Sequence, residues 1–117
     1  MYDPNSTIGK GRNGESLALQ FLIDKGFRLR EKNYRYKRGE IDLIVQKENL
    51  IVFVEAKFRK SDKFGHPEEF VSVNQQELII RTADDFIEKT GWKGNIRFDI
   101  IAIKGNHEIE HFEDAFY

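Results

Sequence analysis

Three charged side chains interrupt an apolar stretch in the first half of the chain. The stretch RGEIDLIVQKENLIVFVEAKFRK, residues 38–60, alternates like two β-strands joined by a tight turn, yet it contains Asp42, Glu55 and Lys57. If residues 48–49 form a two-residue turn, the numbers of paired residues sum to 97 and Asp42 lies opposite Glu55. Opposed Cβ atoms lie about 4.5–5.5 Å apart, so this register predicts two carboxylates nearly in contact.

Two carboxylates held this close predict a divalent-cation site. Like charges directly opposite each other destabilise a sheet, and in a partly buried site their repulsion raises one carboxylate pKa. A divalent cation removes this conflict, because oxygen ligands suit Mg²⁺ and Mn²⁺. The register places Lys57 and Glu40 on the same face, where the lysine would orient a water or stabilise developing negative charge. The alternative is a solvent-facing patch in which Lys57 pairs with Glu40 or Glu55, an interaction that contributes about 0–1 kcal/mol.

The apolar residues of this hairpin favour the metal site over the solvent-facing patch. Ile44 and Phe53 share the face of the acids, so that face is at least partly covered. The opposite face is predicted to carry Ile41, Leu43, Val45, Val52, Val54 and Ala56. A strand that is apolar on both sides is typical of the centre of a sheet. In the turn, Asn49 is the residue expected to tolerate a positive φ.

Hydrophobic periodicity predicts the elements that position the hairpin. Helices are expected over residues 14–26, ended by Gly26, and over residues 68–89, with Gly91 just past the end. Strands are expected from residue 27, over about 40–47, 50–59 and 95–103, and within 107–112. The apolar stripe of the second helix comprises Phe70, Val73, Leu78, Ile79, Ala83, Phe86 and Ile87. The order α-β-β-β-α-β-β predicts one α/β domain, residues 1–117, with a mixed central sheet flanked by helices and with residues 1–8 flexible.

Glu15 lies in the first turn of the expected first helix. On a helix with 3.6 residues per turn it neighbours Ala18 and lies within roughly 20° of Leu22, and both belong to the stripe that faces the sheet. One interpretation is an ordinary first-turn acid favoured by the helix dipole. The other is a third acid that reaches the site of Asp42 and Glu55. The sequence leaves both interpretations open.

Composition excludes several classes of protein. Of 117 residues, 33% are charged and 39% are apolar, which suits a globular chain rather than a disordered one. The chain has no run of 18 apolar residues that would predict a membrane span, and its N-terminus lacks the apolar core of a signal peptide. It has no cysteine, and therefore neither a disulfide nor a thiolate metal ligand. We therefore expect a cytoplasmic protein.

Positive charge is concentrated in the first half of the chain. Residues 1–63 hold 14 Lys and Arg against 9 Asp and Glu, whereas residues 64–117 hold 5 against 11. The most basic segment, RLREKNYRYKR at 28–38, alternates cations with two tyrosines. It is either an amphipathic strand with solvated charges or an edge that contacts phosphates while the tyrosines stack on bases. Arg12, in a glycine-rich segment before the first helix, is a further candidate to contact a phosphate.

Two weaker signals lie in the C-terminal part of the chain. The segment HEIEH, residues 107–111, matches the HExxH zinc signature, but that chemistry needs a helix and a third ligand. The turn residues just before it favour an edge strand instead. Asp99 is interpreted as a partner of Arg97 or of the N-terminal region rather than as a further acid of the site.

Several motifs together resemble those of the bacterial YraN family. They are Gly11-Arg12-Asn13-Gly14-Glu15 with Ala18, Asn33-Tyr34-Arg35, Gly39-Glu40-Ile41-Asp42-Leu43-Ile44, Phe53-Val54-Glu55-Ala56-Lys57, Phe64-Gly65 and Arg97-Phe98-Asp99. The likeness covers nearly the whole chain. That family is a predicted endonuclease group similar to archaeal Holliday junction resolvases. The resemblance implies a restriction-endonuclease-like fold of the PD-(D/E)xK superfamily and metal-dependent hydrolysis of branched or single-stranded DNA.

By position, the resemblance also implies roles for individual residues. The implied catalytic residues are Asp42, Glu55, Lys57, Glu15 and Gln75, and the implied ligands of Mg²⁺ or Mn²⁺ are Asp42, Glu55 and the backbone carbonyl of Ala56. The candidate nucleic-acid contacts are Arg12, Arg35, Lys37, Arg38 and Arg59. Gln75 stands where relatives usually have a lysine, so it can still contact a phosphate or a water but lacks the charge.

Two other functions stay open at this point. Gln75 and the net charge of −1 favour a non-catalytic nucleic-acid-binding module that keeps the nuclease fold. The apolar C-terminal strands favour a protein-interaction domain, such as a homodimer.

Overall fold

Seven elements follow one another in the predicted order. The computed structural model describes residues 7–59, 71–105 and 107–117, with side chains from residue 14 onward. The elements are α1 (Thr7–Asp24), β1 (Arg28–Tyr36), β2 (Gly39–Lys47), β3 (Leu50–Arg59), α2 (Val73–Thr90), β4 (Asn95–Lys104) and β5 (Ile109–Phe112). The α/β class is confirmed, although α1 begins earlier than the expected start at Gly14. Of the segment 1–8 that was expected to be flexible, residues 1–6 lie outside the described ranges.

The five strands form one sheet in the order β1-β2-β3-β4-β5. Neighbouring strands are antiparallel except β3 and β4, which are parallel. A parallel pair needs a crossover connection, and α2 supplies it between β3 and β4. The sheet is therefore mixed, and the hairpin strands β2 and β3 lie inside it, as predicted.

The hairpin between β2 and β3 has the predicted register from Leu43 and Val54 to the turn, but the predicted ladder pairing of Asp42 with Glu55 does not form. Paired numbers sum to 97 along the ladder, from Leu43 and Val54 to Lys47 and Leu50. Glu48 adopts the positive φ of the turn, 54°, so the expectation that Asn49 would do so was wrong. The carbonyl of Asn49 instead accepts the N–H of Asn95 at 2.9 Å, which ties the turn to the start of β4.

Each face of the sheet packs against one helix. The core beneath α1 contains Ala18, Leu22, Phe27, Leu43, Val45, Val52, Val54, Ile101 and Ile103. The core beneath α2 contains Ile41, Ile44, Ile51, Phe53, Val71, Ile79, Ala83, Phe86, Phe98, Ile100 and Phe116. Both faces of β2 and β3 are therefore buried, which explains their nearly continuous apolar sequence.

The alternation of side chains along β2 is broken at Asp42. Leu43 packs beneath α1, whereas Ile41 packs beneath α2, although regular alternation puts residues two apart on one face. The expectation that Ile41 shares the face of Leu43 was therefore wrong. The register places Asn33 of β1 opposite Asp42, and Asn33 has a left-handed backbone with φ 49°. Both strands are thus irregular at the same point.

The helix ends agree with most of the predicted signals. Gly26 follows α1 with φ 98°, and Gly91 caps α2 with φ 70°. The start of α2 is capped by Ser72, so the helix begins later than expected. Val73, which was expected in the apolar stripe, is 69% exposed in the first turn, and Phe70 lies outside the described residues. Neither described helix has the length and apolar character that a membrane crossing requires.

Candidate functional site

Strands β2 and β3 separate beyond Leu43 and Val54. Up to that point the two strands pair with each other. Beyond it, β3 stays paired with β4 while β2 stays paired with β1. Asp42 replaces the missing strand partner, because its Oδ2 accepts the backbone N–H of Ala56 at 2.8 Å. The sheet therefore has a gap with an acid inside it.

The gap brings the carboxyl groups of Asp42 and Glu55 together, although their backbones are not partners in the ladder. Both side chains line one cavity of about 260 Å³. Burial raises the pKa of Asp42, and the charge of Glu55 raises it further. The hydrogen bond from the N–H of Ala56 lowers this pKa, which nevertheless reaches about 8. Within the described ranges, Asp42 has no ion pair. Asp42 therefore lacks a positive partner in a buried position.

Glu55 is held by two other side chains. Its side chain is 8% exposed, and its Oε2 lies 3.4 Å from Lys57 Nζ. Gln75 Nε2 donates a hydrogen bond to the same oxygen at 2.6 Å. Gln75 reaches Glu55 from the first turn of α2, where the Oγ of Ser72 accepts the N–H of Gln75 at 3.2 Å. The structure thus brings four of the predicted catalytic residues, Asp42 among them, to the gap.

Glu15 lies beside the gap rather than in the cavity. Asn33 Nδ2 donates to Glu15 Oε2 at 3.0 Å, which joins α1 to the irregular point of β1. Burial raises the pKa of Glu15, the hydrogen bond from Asn33 lowers it, and the charges of Asp42 and Glu40 raise it again. Glu15 is therefore close enough to feel the acids of β2, but it does not line the cavity that they share.

The basic residues predicted to contact nucleic acid have different surroundings. Arg38 lines the acidic cavity, and Lys37 precedes it in the β1–β2 turn with φ 55°. Arg35 forms an ion pair at 3.4 Å with an acid of β2. Arg59 is the last residue of β3. The side chain of Arg12 lies outside the described part of the chain. Arg38 therefore lines the cavity of Asp42 and Glu55, and Arg35 pairs with Glu40, which lines the same cavity.

The oxygen atoms at the gap fit a small divalent cation. Asp42 and Glu55 supply carboxylates, and the carbonyl of Ala56 faces the gap because the N–H and C=O of one strand residue face the same neighbouring strand. No group of three or more His, Cys, Asp or Glu side chains converges among the described residues. Two carboxylates and one carbonyl suit Mg²⁺, which is usually held by one or two carboxylates and keeps waters and substrate phosphates as its other ligands.

Sequence reasoning missed part of the cavity wall. The lining residues are Arg38, Gly39, Glu40, Asp42, Glu55, Gln75, Leu78 and Ile79. Leu78 and Ile79 follow Gln75 at a spacing that puts them on the same side of a helix, so periodicity could have found them. Gly39 makes a close contact with α2, because a Cβ there would lie 2.7 Å from the carbonyl oxygen of Leu78. No sequence signal shows that contact, since it depends on how α2 packs on β2.

Another buried acid, Asp99, belongs to the fold. It accepts two hydrogen bonds of 2.8 Å from Arg97 and one of 3.0 Å from the N–H of Asp114, and its Oδ2 lies 2.7 Å from His111 Nε2. Burial alone would raise the pKa of Asp99, but these partners lower it. The predicted pairing with Arg97 is therefore confirmed. His111 lies in β5, so the HExxH match is not a zinc-binding helix, as predicted.

The mixed five-stranded sheet between two helices is the α/β architecture expected of a restriction-endonuclease-like fold. The model of the uncharacterised protein family UPF0102 matches residues 14–103. A UPF0102 protein of Flavobacterium psychrophilum is 42% identical over 110 residues, covering 92% of this chain and 92% of its own. A UPF0102 protein of Thermodesulfovibrio yellowstonii is 43% identical over 110 residues, covering 94% of this chain and 97% of its own. A UPF0102 protein of Chlorobium chlorochromatii is 40% identical over 126 residues, covering 100% of this chain and 98% of its own. The chain therefore belongs to the UPF0102 family, the YraN family that its motifs resemble.

Proposed function

We propose that the protein is a divalent-cation-dependent endonuclease that hydrolyses phosphodiesters in branched or single-stranded DNA. The observation that carries this proposal is the pair of carboxyl groups, Asp42 and Glu55, at an open gap of the sheet with a lysine and an amide beside them. A fold gains nothing from a buried acid without a cation, because burial and like charge both disfavour its ionised form. Such groups cluster at functional sites.

Each group at the gap has a role in the proposed hydrolysis. Asp42, Glu55 and the carbonyl of Ala56 would hold the cation, which would lower the pKa of a water and offset the negative charge of the phosphate. Lys57 Nζ, 3.4 Å from Glu55, orients a water towards phosphorus and stabilises the charge that develops there. Gln75 fixes Glu55 through its hydrogen bond and offers its amide to a phosphate oxygen.

The bond changes define the products. A water oxygen adds to phosphorus, the bond between phosphorus and O3′ breaks, and the leaving oxygen takes up a proton. The products are a 5′-phosphate and a 3′-hydroxyl. Arg38 on the cavity wall attracts the phosphodiester. Glu15 beside the gap adds negative charge that favours cation binding.

Cleavage of labelled DNA by the purified protein tests the proposal. Four-way junctions, flaps, single strands and a plain duplex of the same sequence are compared in Mg²⁺ and in Mn²⁺, and the product ends are identified. We expect cleavage of branched or single-stranded substrates, and a loss of about a thousandfold in Asp42→Asn and Glu55→Gln, equivalent to about 4 kcal/mol of transition-state stabilisation. Glu77→Gln, at an exposed acid of α2, is the matched control and should keep full activity.

Two results would contradict the proposal. One is the absence of cleavage on every substrate with either ion. The other is a variant Asp42→Asn that cleaves DNA and binds Mn²⁺ in a calorimetric titration as the wild type does.

One observation favours a second function, the non-catalytic binding of nucleic acid. Gln75 Nε2 engages Glu55 Oε2 at 2.6 Å, and Gln75 carries no charge where the resemblance implies a lysine. This amide occupies a carboxylate oxygen that a cation would use. DNA binding that weakens steeply with salt, without cleavage and without Mn²⁺ binding, would identify this function.

A further inference from the structure

The acidic cavity at the gap lies beside a second cavity, which we name the flanking cavity. It has a volume of about 190 Å³ and is lined by Tyr36, Lys37, Arg38, Leu78 and Arg81. Arg38 and Leu78 line both cavities, so the two are adjacent. The flanking cavity leads away from the gap between the β1–β2 turn and α2.

The flanking cavity combines cations with apolar surface. Three of its five lining residues are cationic, and none of the described residues that line it is a carboxylate. The ring of Tyr36 and the side chain of Leu78 supply apolar walls. Within the described part of the chain, neither Arg38 nor Arg81 forms an ion pair. A nucleotide matches this lining, because its phosphate can contact the cations and its base can contact the apolar walls.

The β1–β2 turn places a cation and an aromatic ring at the flanking cavity. Lys37 has φ 55°, in the left-handed region that disfavours residues other than glycine. Its Nζ lies 5.3 Å from the centroid of the Tyr36 ring. A positive φ is ordinary in a two-residue hairpin turn, as at Glu48 between β2 and β3, so the support for a ligand comes from the side chains at the cavity. The turn therefore holds an ammonium group and an aromatic ring next to each other at the cavity.

Acidic side chains limit the length of this basic surface. Tyr36, Lys37 and Arg81 also line a neighbouring cavity whose other lining residues are Asp84, Asp85 and Glu88. These carboxylates repel the phosphates of a longer strand. The surface that favours a phosphate therefore ends where these acids begin.

We propose that the flanking cavity is the subsite for the nucleotide next to the cleaved phosphodiester, and that this nucleotide must be unpaired. Its phosphate lies between Arg38 and Arg81, and its base stacks against Tyr36 and Leu78. Neighbouring base pairs cover the faces of each base in a duplex, so only an unpaired nucleotide offers a face to the ring. The inference rests on the proposed function, because it takes the phosphodiester at the gap as its reference. The substrate class is DNA with an unpaired nucleotide beside the cut, as at a flap or a frayed branch point.

Binding without metal tests the subsite separately from catalysis. The variant Asp42→Asn, in EDTA, is titrated with a fluorescein-labelled single-stranded oligonucleotide and with the blunt duplex of the same sequence. In this background, Tyr36→Ala should weaken single-strand binding by roughly 5- to 100-fold and leave duplex binding nearly unchanged. Arg81→Gln should weaken single-strand binding by about fivefold.

Two further variants serve as controls. Tyr36→Phe keeps the stacking ring and should bind single strands as its parent does. Arg28→Gln removes an exposed cation at the opposite end of β1, where Arg28 donates to Gln46 at 3.0 Å, and should change binding by less than about twofold. Arg81 is exposed, so Arg81→Gln keeps the test valid if Tyr36→Ala does not fold.

The outcomes separate the subsite from the proposed function. Equal losses on single strands and duplex, no loss in either subsite variant, or no single-strand binding by the parent would overturn the subsite. If the variants lose single-strand binding as expected but the wild type cleaves nothing in Mn²⁺, the subsite stands and the proposed hydrolysis fails. If the wild type cleaves and both subsite variants bind and cleave unchanged, the hydrolysis stands and the subsite fails.

Discussion

Asp42, which is partly buried, and Asp99, which is fully buried, are acids of the same sheet with opposite surroundings. Asp99 is enclosed by Arg97, His111 and the N–H of Asp114, which lower its pKa although burial alone would raise it. Asp42 accepts one backbone N–H and faces a second carboxyl group, and burial together with that neighbour raises its pKa. Asp99 has positively charged partners, whereas no described residue forms an ion pair with Asp42. The comparison thus separates an acid whose charge the fold compensates from an acid whose charge the described residues leave uncompensated.

The largest effect on stability is expected at Asp99. Asp99→Asn removes the buried carboxylate that engages both Arg97 and His111 and leaves Arg97 only the exposed Glu113 at 3.9 Å among the described residues, so the free energy of unfolding should fall by about 3 kcal/mol. Asp42→Asn removes a carboxylate that burial and Glu55 disfavour, so at pH 8 without metal the same free energy should stay equal or rise. Urea denaturation measures both variants. If Asp42→Asn destabilises the protein as much as Asp99→Asn does, the carboxylate of Asp42 also stabilises the fold and the contrast between the two acids is wrong.

Metal should distinguish the same two acids. Mn²⁺ that binds only the folded protein raises the free energy of unfolding by about 2.7 kcal/mol at a concentration of 100 Kd. We expect this gain in the wild type and in Asp99→Asn, but not in Asp42→Asn. Thermal unfolding in Mn²⁺ and in EDTA measures the gain. An equal gain in Asp42→Asn would mean that the ion binds elsewhere.

The pH dependence of stability should have opposite signs for the two acids. The raised pKa of Asp42 means that the folded protein binds the proton of this carboxyl group more tightly than the unfolded chain does. The resulting contribution to the free energy of unfolding is complete below about pH 4 and is lost as the pH rises towards 8. The lowered pKa of Asp99 contributes stability above about pH 4, and this is lost as the pH falls through its folded pKa.

Without metal, the free energy of unfolding of the wild type should fall by about 1–2 kcal/mol between pH 5 and pH 7. Asp42→Asn should remove most of this slope, whereas Glu77→Gln should not change it. Urea denaturation at several pH values provides the measurement. A slope that survives in Asp42→Asn would argue against a raised pKa at the gap.

The smallest effect is expected at Gln75. Gln75→Lys adds a cation next to Glu55, so the affinity of the Asp42→Asn background for single-stranded DNA should rise about threefold and its salt slope should steepen by about one. Gln75→Glu is the matched control of opposite charge and should weaken binding. Titrations at several salt concentrations measure both slopes. Identical slopes in the two variants would show that Gln75 does not face the phosphate.

Local patterns were sufficient to predict the strands and the hairpin register. Apolar alternation and a two-residue turn determine which residues of β2 and β3 pair, and the structure keeps that register from Leu43 and Val54 to the turn. The order of elements follows from equally local signals, such as Gly26 and Gly91 at the helix ends.

The geometry of the gap could not be predicted in the same way. Alternation places Ile41 on the face of Leu43, whereas the irregular backbone at Asp42 and Asn33 turns it towards α2. That irregularity depends on pairing with both neighbouring strands and on the hydrogen bond from Ala56 to the carboxylate. Sequence periodicity carries no information about such a combination.

The flanking cavity was also absent from the sequence-based predictions. Tyr36 and Arg81 belong to a strand and a helix that are far apart in the chain, and they meet only because α2 packs beside the β1–β2 turn. The sequence pattern of a single element cannot predict this tertiary contact.

Gly39 sets how closely α2 approaches β2. The carbonyl of Leu78 and the Oγ1 of Thr82 fill the space that a methyl group at position 39 would need. Asp42 lies three residues beyond Gly39 on β2, and Gln75 lies three residues before Leu78 on α2, so this backbone contact spaces the acid from the amide. The width of the opening therefore depends on the absence of a side chain at position 39, which lets the main chain of α2 and the hydroxyl of Thr82 lie directly against β2.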